Sequence, residues 1–120
     1  MATYRLRMRA LIETEKNWGV NNYDLPQGIT AVGREHGKIM IILPEVSARH
    51  GYFELNGNGV HYKDSKSTNG TVFIKDGSLT PLVLRDERIL VNRGDRLIFG
   101  NPRTGVEMTL EVYDLSPQPL

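Results

Sequence analysis

Tyr4-Arg5-Leu6-Arg7-Met8-Arg9-Ala10-Leu11-Ile12 is the stretch whose reading decides the fold. Its even positions, Tyr4, Leu6, Met8, Ala10 and Ile12, are apolar, and Arg5, Arg7 and Arg9 stand between them. Successive side chains of an extended strand point to opposite faces, so this period of two predicts a strand with one buried and one wet face. Near the other end, Met108, Leu110 and Val112 alternate with Glu107, Thr109 and Glu111 in the same way. The two alternating strands are natural neighbours, an arrangement that brings the ends of the chain together.

Between them lie shorter strand candidates: Ile29 to Val32, Ile39 to Leu43, Tyr52 to Leu55, Val60 to Lys63, Thr71 to Lys75, Pro81 to Leu84, Ile89 to Val91 and Arg96 to Phe99. Their spacing is that of sandwiches and barrels. Asn56-Gly57-Asn58-Gly59 and Asp76-Gly77 are tight-turn sequences, because Asn, Asp and Gly tolerate positive φ. Gly94-Asp95 and Asn101-Pro102 mark further turns. The best helical stretch, Glu13 to Trp18, is polar and is stopped by Gly19 and the Asn21-Asn22 pair. The expected fold is all-β, a sandwich of two antiparallel sheets with the N- and C-terminal strands adjacent. Residues 1–114 read as a single domain, and the Pro-containing 115–120 as a tail or the start of a linker.

At 120 residues two independent cores are not expected. The composition, 39% hydrophobic and 24% charged, is that of a globular chain rather than a disordered one. Fifteen Lys and Arg against fourteen Asp and Glu leave a net charge of +1, which argues against a broad polyanion-binding surface. Without cysteine, disulfides, thiolate metal sites and cysteine nucleophiles are excluded. No apolar run has the length of a membrane span, and the first residues lack the pattern of a secretory signal. The expected location is cytoplasmic.

In such a sandwich the strands are scaffold, and function is carried on loops. Three loop groups hold polar residues that core packing does not explain: Gly33-Arg34, then Ser47-Ala48-Arg49-His50, then Asp64-Ser65-Lys66-Ser67-Thr68-Asn69-Gly70-Thr71. In this order they resemble the forkhead-associated (FHA) domain family, whose pattern is Gly-Arg, then Ser-x-x-His, then a Ser/Thr-rich loop ending in Asn-Gly. Gly94-Asp95-Arg96-Leu97-Ile98-Phe99-Gly100 is similar to the family's Gly-Asp strand, so the resemblance spans about residues 28–100. It implies the FHA/SMAD-like form of the sandwich and a module that binds phosphothreonine peptides.

A phosphothreonine carries about −1.5 to −2 charges at neutral pH and three strong acceptor oxygens, so it needs a fixed cation and several neutral donors. Arg34 offers a planar fork matched to phosphate, which a lysine would not reproduce. The resemblance implies phosphate contacts from Arg34, Ser47 and Thr68, and a bond from Asn69 to the peptide backbone. Gly33, His50 and Gly70 are structural in the same comparison. Many members carry a polar or basic residue after the motif serine, and Ala48 stands there in this chain. That places more of the charge on Arg34, with Arg49, Lys66 and Ser67 as auxiliary contacts. Glu45, two residues before Ser47, is a candidate for reading the third residue after the phosphothreonine, where a carboxylate favours a basic or non-acidic side chain.

The expected partners are a threonine-phosphorylated protein, the substrate of a Ser/Thr kinase, and other domains of the same larger protein, with no nucleic acid, no membrane insertion, no metal and no cofactor. A second reading is a scaffold of the same fold that binds its partner without phosphate. A third is a hydrolase built on Ser47, His50 and Asp64, against which stand the missing Gly-x-Ser-x-Gly elbow and the close spacing of Ser47 and His50. The three histidines, His36, His50 and His61, have no zinc-site spacing. Arg5, Arg7 and Arg9 read as the wet face of a strand rather than a nucleic-acid stripe.

Overall fold

The computed structural model describes residues 2–11 and 20–114, and every described element is a strand. In chain order these are β1 (Ala2–Ala10), β2 (Val20–Asp24), β3 (Gly28–Gly33), β4 (Ile39–Met40), β5 (Gly51–Asn56), β6 (Gly59–Asp64), β7 (Thr71–Ile74), β8 (Leu82–Leu84), β9 (Arg88–Val91), β10 (Arg96–Phe99) and β11 (Val106–Asp114). They form a six-stranded sheet in the order β2-β1-β11-β10-β7-β8 and a five-stranded sheet in the order β4-β3-β5-β6-β9. Every pairing is antiparallel except the short β3–β4 contact. The two-sheet sandwich expected from the alternating pattern is the fold observed.

The two outer stretches pair along their full length, from Ala2 opposite Asp114 to Ala10 opposite Val106. Leu6, Met8, Leu110 and Met108 face inward, and Leu6, Met108 and Leu110 are fully buried. The opposite sheet contributes Val32, Phe53, Leu55, Val60 and Tyr62. Phe53 lies 4.9 Å from its cross-strand neighbour Tyr62, and Tyr62 bridges to the other sheet, edge-on to Phe99 at 5.5 Å. Such contacts contribute about 0.5–1.5 kcal/mol each beyond area burial.

Three details differ from the sequence expectation. Asn21 and Asn22, expected only to stop a helical stretch, lie within β2, a strand not among the candidates; β2 closes the free edge of β1, and Arg5 Nε donates to Asp24 at 2.7 Å across that pair. The apolar run from Ile39 to Leu43 is a strand only at Ile39–Met40, because beyond it the chain turns toward Pro44 to bury Val46. Glu107, placed on the wet face by alternation, is buried, since Arg9 and Arg96 cover it with ion pairs of 3.1 and 3.2 Å. The polar stretch Glu13 to Trp18 and the tail 115–120 lie outside the described residues.

The register also sets which loops share an end. The C-terminal ends of β3, β6, β8 and β10 meet the N-terminal ends of β5, β7, β9 and β11. The Arg34, Ser47 and Thr68 segments emerge there. Ala2 and Asp114 lie at the opposite end.

Candidate functional site

The end of β3 runs edge to edge with the Ser47 segment. Arg34 N–H donates to the Ser47 carbonyl at 3.0 Å, and His36 N–H donates to that of Ala48 at 3.1 Å. Gly33 makes this approach possible. A Cβ on it would stand 2.2 Å from the Ala48 carbonyl oxygen, well inside contact distance. With the backbone placed, Arg34 Nε donates to the Val46 carbonyl at 3.0 Å. The guanidinium is thereby oriented, and its terminal fork has no protein partner among the described residues.

The third loop is brought to the second by direct bonds. Thr68 N–H donates to Ser47 Oγ at 3.0 Å, and the two hydroxyl oxygens lie 3.5 Å apart. Asn69 Nδ2 donates to the Glu45 carbonyl at 2.8 Å, which leaves its Oδ1 and second N–H open. Gly70 has φ +76, and a Cβ there would meet Val83 at 2.7 Å and the Leu84 carbonyl at 2.9 Å. A side chain at Gly70 would thus meet both strain and contact.

His50 is fully buried and joins the loops to the core. Its Nδ1 accepts from Ser47 N–H at 3.1 Å, which puts the proton on Nε2, and Nε2 donates to the Gly70 carbonyl at 2.9 Å. Its ring lies edge-on to Phe99 at 5.3 Å. Burial is the main cause that pushes its pKa below the ordinary 6.5, outweighing the opposing pull of the Gly70 carbonyl and Asp64. Both ring nitrogens are thus committed to backbone groups. The Ser47 hydroxyl has no base at His50, so these residues are not arranged as a nucleophile and its activator.

Beneath the Thr68 loop lies Asp64, at the last inward-facing position of β6 and fully buried. Its Oδ2 accepts from Ser67 N–H at 3.0 Å and Asp86 N–H at 2.9 Å. Its Oδ1 accepts from the Ser67 hydroxyl and from Thr71 Oγ1 at 2.9 Å. The Tyr62 hydroxyl completes the network by donating to Thr71 Oγ1 at 2.8 Å. Burial raises the Asp64 carboxyl, but the bonds from Ser67, Asp86 and Thr71 together hold it below its ordinary 3.8.

The sequence-derived residues therefore fall into two groups. Arg34, Ser47, Thr68 and Asn69 are brought together at one rim, while Gly33, His50 and Gly70 shape the backbone behind them. Ser67, taken from the sequence as an auxiliary contact, points the other way: it is buried and its hydroxyl is committed to Asp64. Arg49 and Lys66 are exposed on the surrounding loops, and Lys66 has φ +54. Glu45 and Asn69 line a groove of about 290 Å³ with Val72, Val83, Arg85, Asn101 and Pro102. Arg85 escaped the sequence reading; its Nη1 donates to the Thr68 carbonyl at 3.1 Å.

Arg5, Arg7, Arg9, Lys63, Arg88 and Arg96 each have a carboxylate partner. The guanidinium and ammonium groups of Arg34, Arg49, Lys66 and Arg85 form no ion pair among the described residues, and neither do those of Lys38, Lys75, Arg93 and Arg103 elsewhere. The cations at the rim are therefore not neutralised by the fold, a property they share with these other surface cations.

The structure is a two-sheet sandwich with paired terminal strands that carries Arg34, Ser47, Thr68 and Asn69 on loops at the far end. The FHA domain family model matches residues 30–100, and the chain belongs to that family. Solved structures agree on the fold. An FHA domain studied for phosphothreonine-dependent interactions is similar at 21% identity and TM-score 0.68, over 94% of this chain and 99% of its own. The yeast splicing factor Pml1 is similar at 20% identity and TM-score 0.73, over 93% and 80%. EmbR of Mycobacterium tuberculosis, solved with a low-affinity phosphopeptide, is similar at 19% identity and TM-score 0.65, over 89% of this chain and 24% of EmbR. No curated protein sequence matches significantly. None of the described residues forms a helix long and apolar enough to cross a membrane.

Proposed function

We propose that this chain recognises phosphothreonine in a partner protein and recruits that partner once a Ser/Thr kinase has acted, without catalysing a reaction. The observation that carries the reading is the convergence of Arg34, Ser47 and Thr68. Arg34 is anchored through Nε with its terminal fork open, and Ser47 and Thr68 lie within hydrogen-bond reach of each other at the same rim. A guanidinium fork and two hydroxyls match the three acceptor oxygens of a phosphate monoester. Asn69, fixed through Nδ2, presents its remaining amide atoms to the peptide backbone beside the modified residue. Arg49 and Lys66 add nearby charge.

In the groove, Glu45 shares the wall with Arg85, so the basic preference expected from Glu45 alone is balanced by a guanidinium. The exposed Val83 favours an aliphatic side chain in the same space. Residues 1–114 act as one module in the cytoplasm, with 115–120 a tail or the start of a linker. The site is preformed, and its footprint is short, which suits affinity of about micromolar order.

Calorimetric titration of matched phosphothreonine, phosphoserine and unmodified peptides tests this. The phosphothreonine peptide is expected to bind best, and Arg34→Ala to weaken it by about tenfold or more, the loss of charge-assisted bonds. Equal binding of phosphorylated and plain peptides would give the site to the alternative, a phosphate-independent scaffold of the same fold.

A further inference from the structure

We propose that Arg85 is a second cation of the phosphothreonine site, fixing Thr68 and supplying the positive charge that Ala48 does not bring. This rests on the reading of the site given above. Thr68 is held at both of its backbone polar groups: its N–H donates to Ser47 Oγ at 3.0 Å, and its carbonyl accepts from Arg85 Nη1 at 3.1 Å. Its hydroxyl is therefore presented by two partners from different parts of the chain. Arg85 also passes over Gly70, where an added Cβ would lie 3.4 Å from Arg85 Cγ.

The base of Arg85 is fixed as firmly as its tip. The turn 85–87 is joined to the end of β6 by four bonds. Asp86 N–H donates to Asp64 Oδ2 at 2.9 Å, and Asp64 N–H donates to the Glu87 carbonyl at 3.1 Å. Lys63 Nζ donates to the Asp86 carbonyl at 2.7 Å and to Asp86 Oδ1 at 2.6 Å. Asp86 has φ +63, a left-handed conformation that a non-glycine residue keeps only where its surroundings hold it. The Asp64 carboxylate that anchors this turn is the one that anchors Ser67, so Arg85 and Thr68 share a support.

The guanidinium is only partly committed. Nη1 reaches Thr68, while the guanidinium forms no ion pair among the described residues and the side chain is exposed; the only carboxylate on Arg85 is that of Glu87, which accepts from its backbone N–H at 3.4 Å. A phosphate at the Thr68 hydroxyl carries more negative charge than Arg34 alone neutralises. The Arg85 guanidinium, held on the Thr68 carbonyl, lowers the energy of that charge and does so in a salt-dependent manner.

Arg85→Lys, Arg85→Gln and Arg85→Ala separate the hydrogen bond from the charge. Each is titrated with phosphothreonine and unmodified peptides at about 50 mM and about 300 mM salt, a range over which screening changes strongly. Arg85→Gln and Arg85→Ala are expected to weaken phosphopeptide binding by about fivefold to twentyfold at low salt and to flatten its salt dependence. Arg85→Lys is expected to stay within about threefold and to keep the wild-type slope. Gln binding like the wild type, or binding weakly with an unchanged salt slope, overturns the proposal. Failure of the underlying reading looks different: the wild type would not distinguish phosphorylated from plain peptide, and Arg34→Ala would have no effect.

Discussion

Removing the Asp64 carboxylate should unfasten the recognition loops, and the structure sets the scale. Asp64→Ala leaves the Ser67 and Asp86 N–H groups without an acceptor in a fully buried place. Each orphaned donor costs about 1–3 kcal/mol. The Ser67 and Thr71 hydroxyls can rotate, and water entering the space recovers part of the loss, so a net cost of about 3–5 kcal/mol is expected, in the range for breaking a buried charged network. For a domain of this size that lowers the melting temperature by at least ~12 °C. Asp64→Asn is milder. Its one oxygen can serve the two N–H groups while its amide donates to the two hydroxyls, with the Tyr62–Thr71 bond reversed in direction. Losing the charge weakens four bonds, but the cost of burying that charge also disappears, leaving about 1–2 kcal/mol.

The acid limb gives a second readout. The folded carboxyl titrates below its ordinary 3.8, so its stabilisation is complete above that pH and is lost as pH falls through the lower folded value. Asparagine does not titrate, so the gap between wild type and Asp64→Asn should narrow below about pH 4. Urea denaturation followed by circular dichroism, at neutral pH and in acid, measures both effects. An Asp64→Ala cost under about 1 kcal/mol, an Asn variant less stable than the Ala variant, or a gap that does not narrow in acid would refute the reasoning.

Two further expectations concern the backbone behind the site. His50 is neutral when folded and protonates near 6.5 when unfolded, so stability should fall as pH drops below 6.5 toward the lower folded value and stay level above it. Denaturation across that range should show this segment in the wild type and not in His50→Gln; identical profiles would count against it. Gly33→Ala forces a Cβ to within 2.2 Å of the Ala48 carbonyl oxygen and should cost about 1–3 kcal/mol, with weaker phosphopeptide binding because Arg34 moves with it. An unchanged melting temperature would show that the two segments can separate freely.

The sheet skeleton was legible because its evidence is local. Leu6, Met8, Met108 and Leu110 announce their faces by alternation alone, and the pairing of β1 with β11 is consistent with that alternation but is itself a tertiary fact. β2 was not legible, since Asn21, Asn22 and Asp24 are poor strand formers that become a strand only because β1 offers an open edge and Arg5 a partner. The rim residues followed from motif order, whereas their supports did not. Ser67 and Thr68 are neighbours in a polar run, and only the depth of Asp64 decides that one hydroxyl turns inward. Arg85 comes near Thr68 because the β7–β8 hairpin returns the chain to the same end, a distance along the sequence that no local pattern reports.

The β1–β11 ladder has a mechanical side. Ala2 and Asp114 are partners at one end of an antiparallel pair, so tension applied through them pulls across the strands instead of along them. Such a pair opens rung by rung, like a zipper, and no step requires several hydrogen bonds to break at once. Force transmitted through flanking chain would thus peel β1 from β11 progressively toward Ala10 and Val106. The loops that hold Arg34, Ser47 and Thr68, at the opposite end and largely on other strands, would be the last to feel the load.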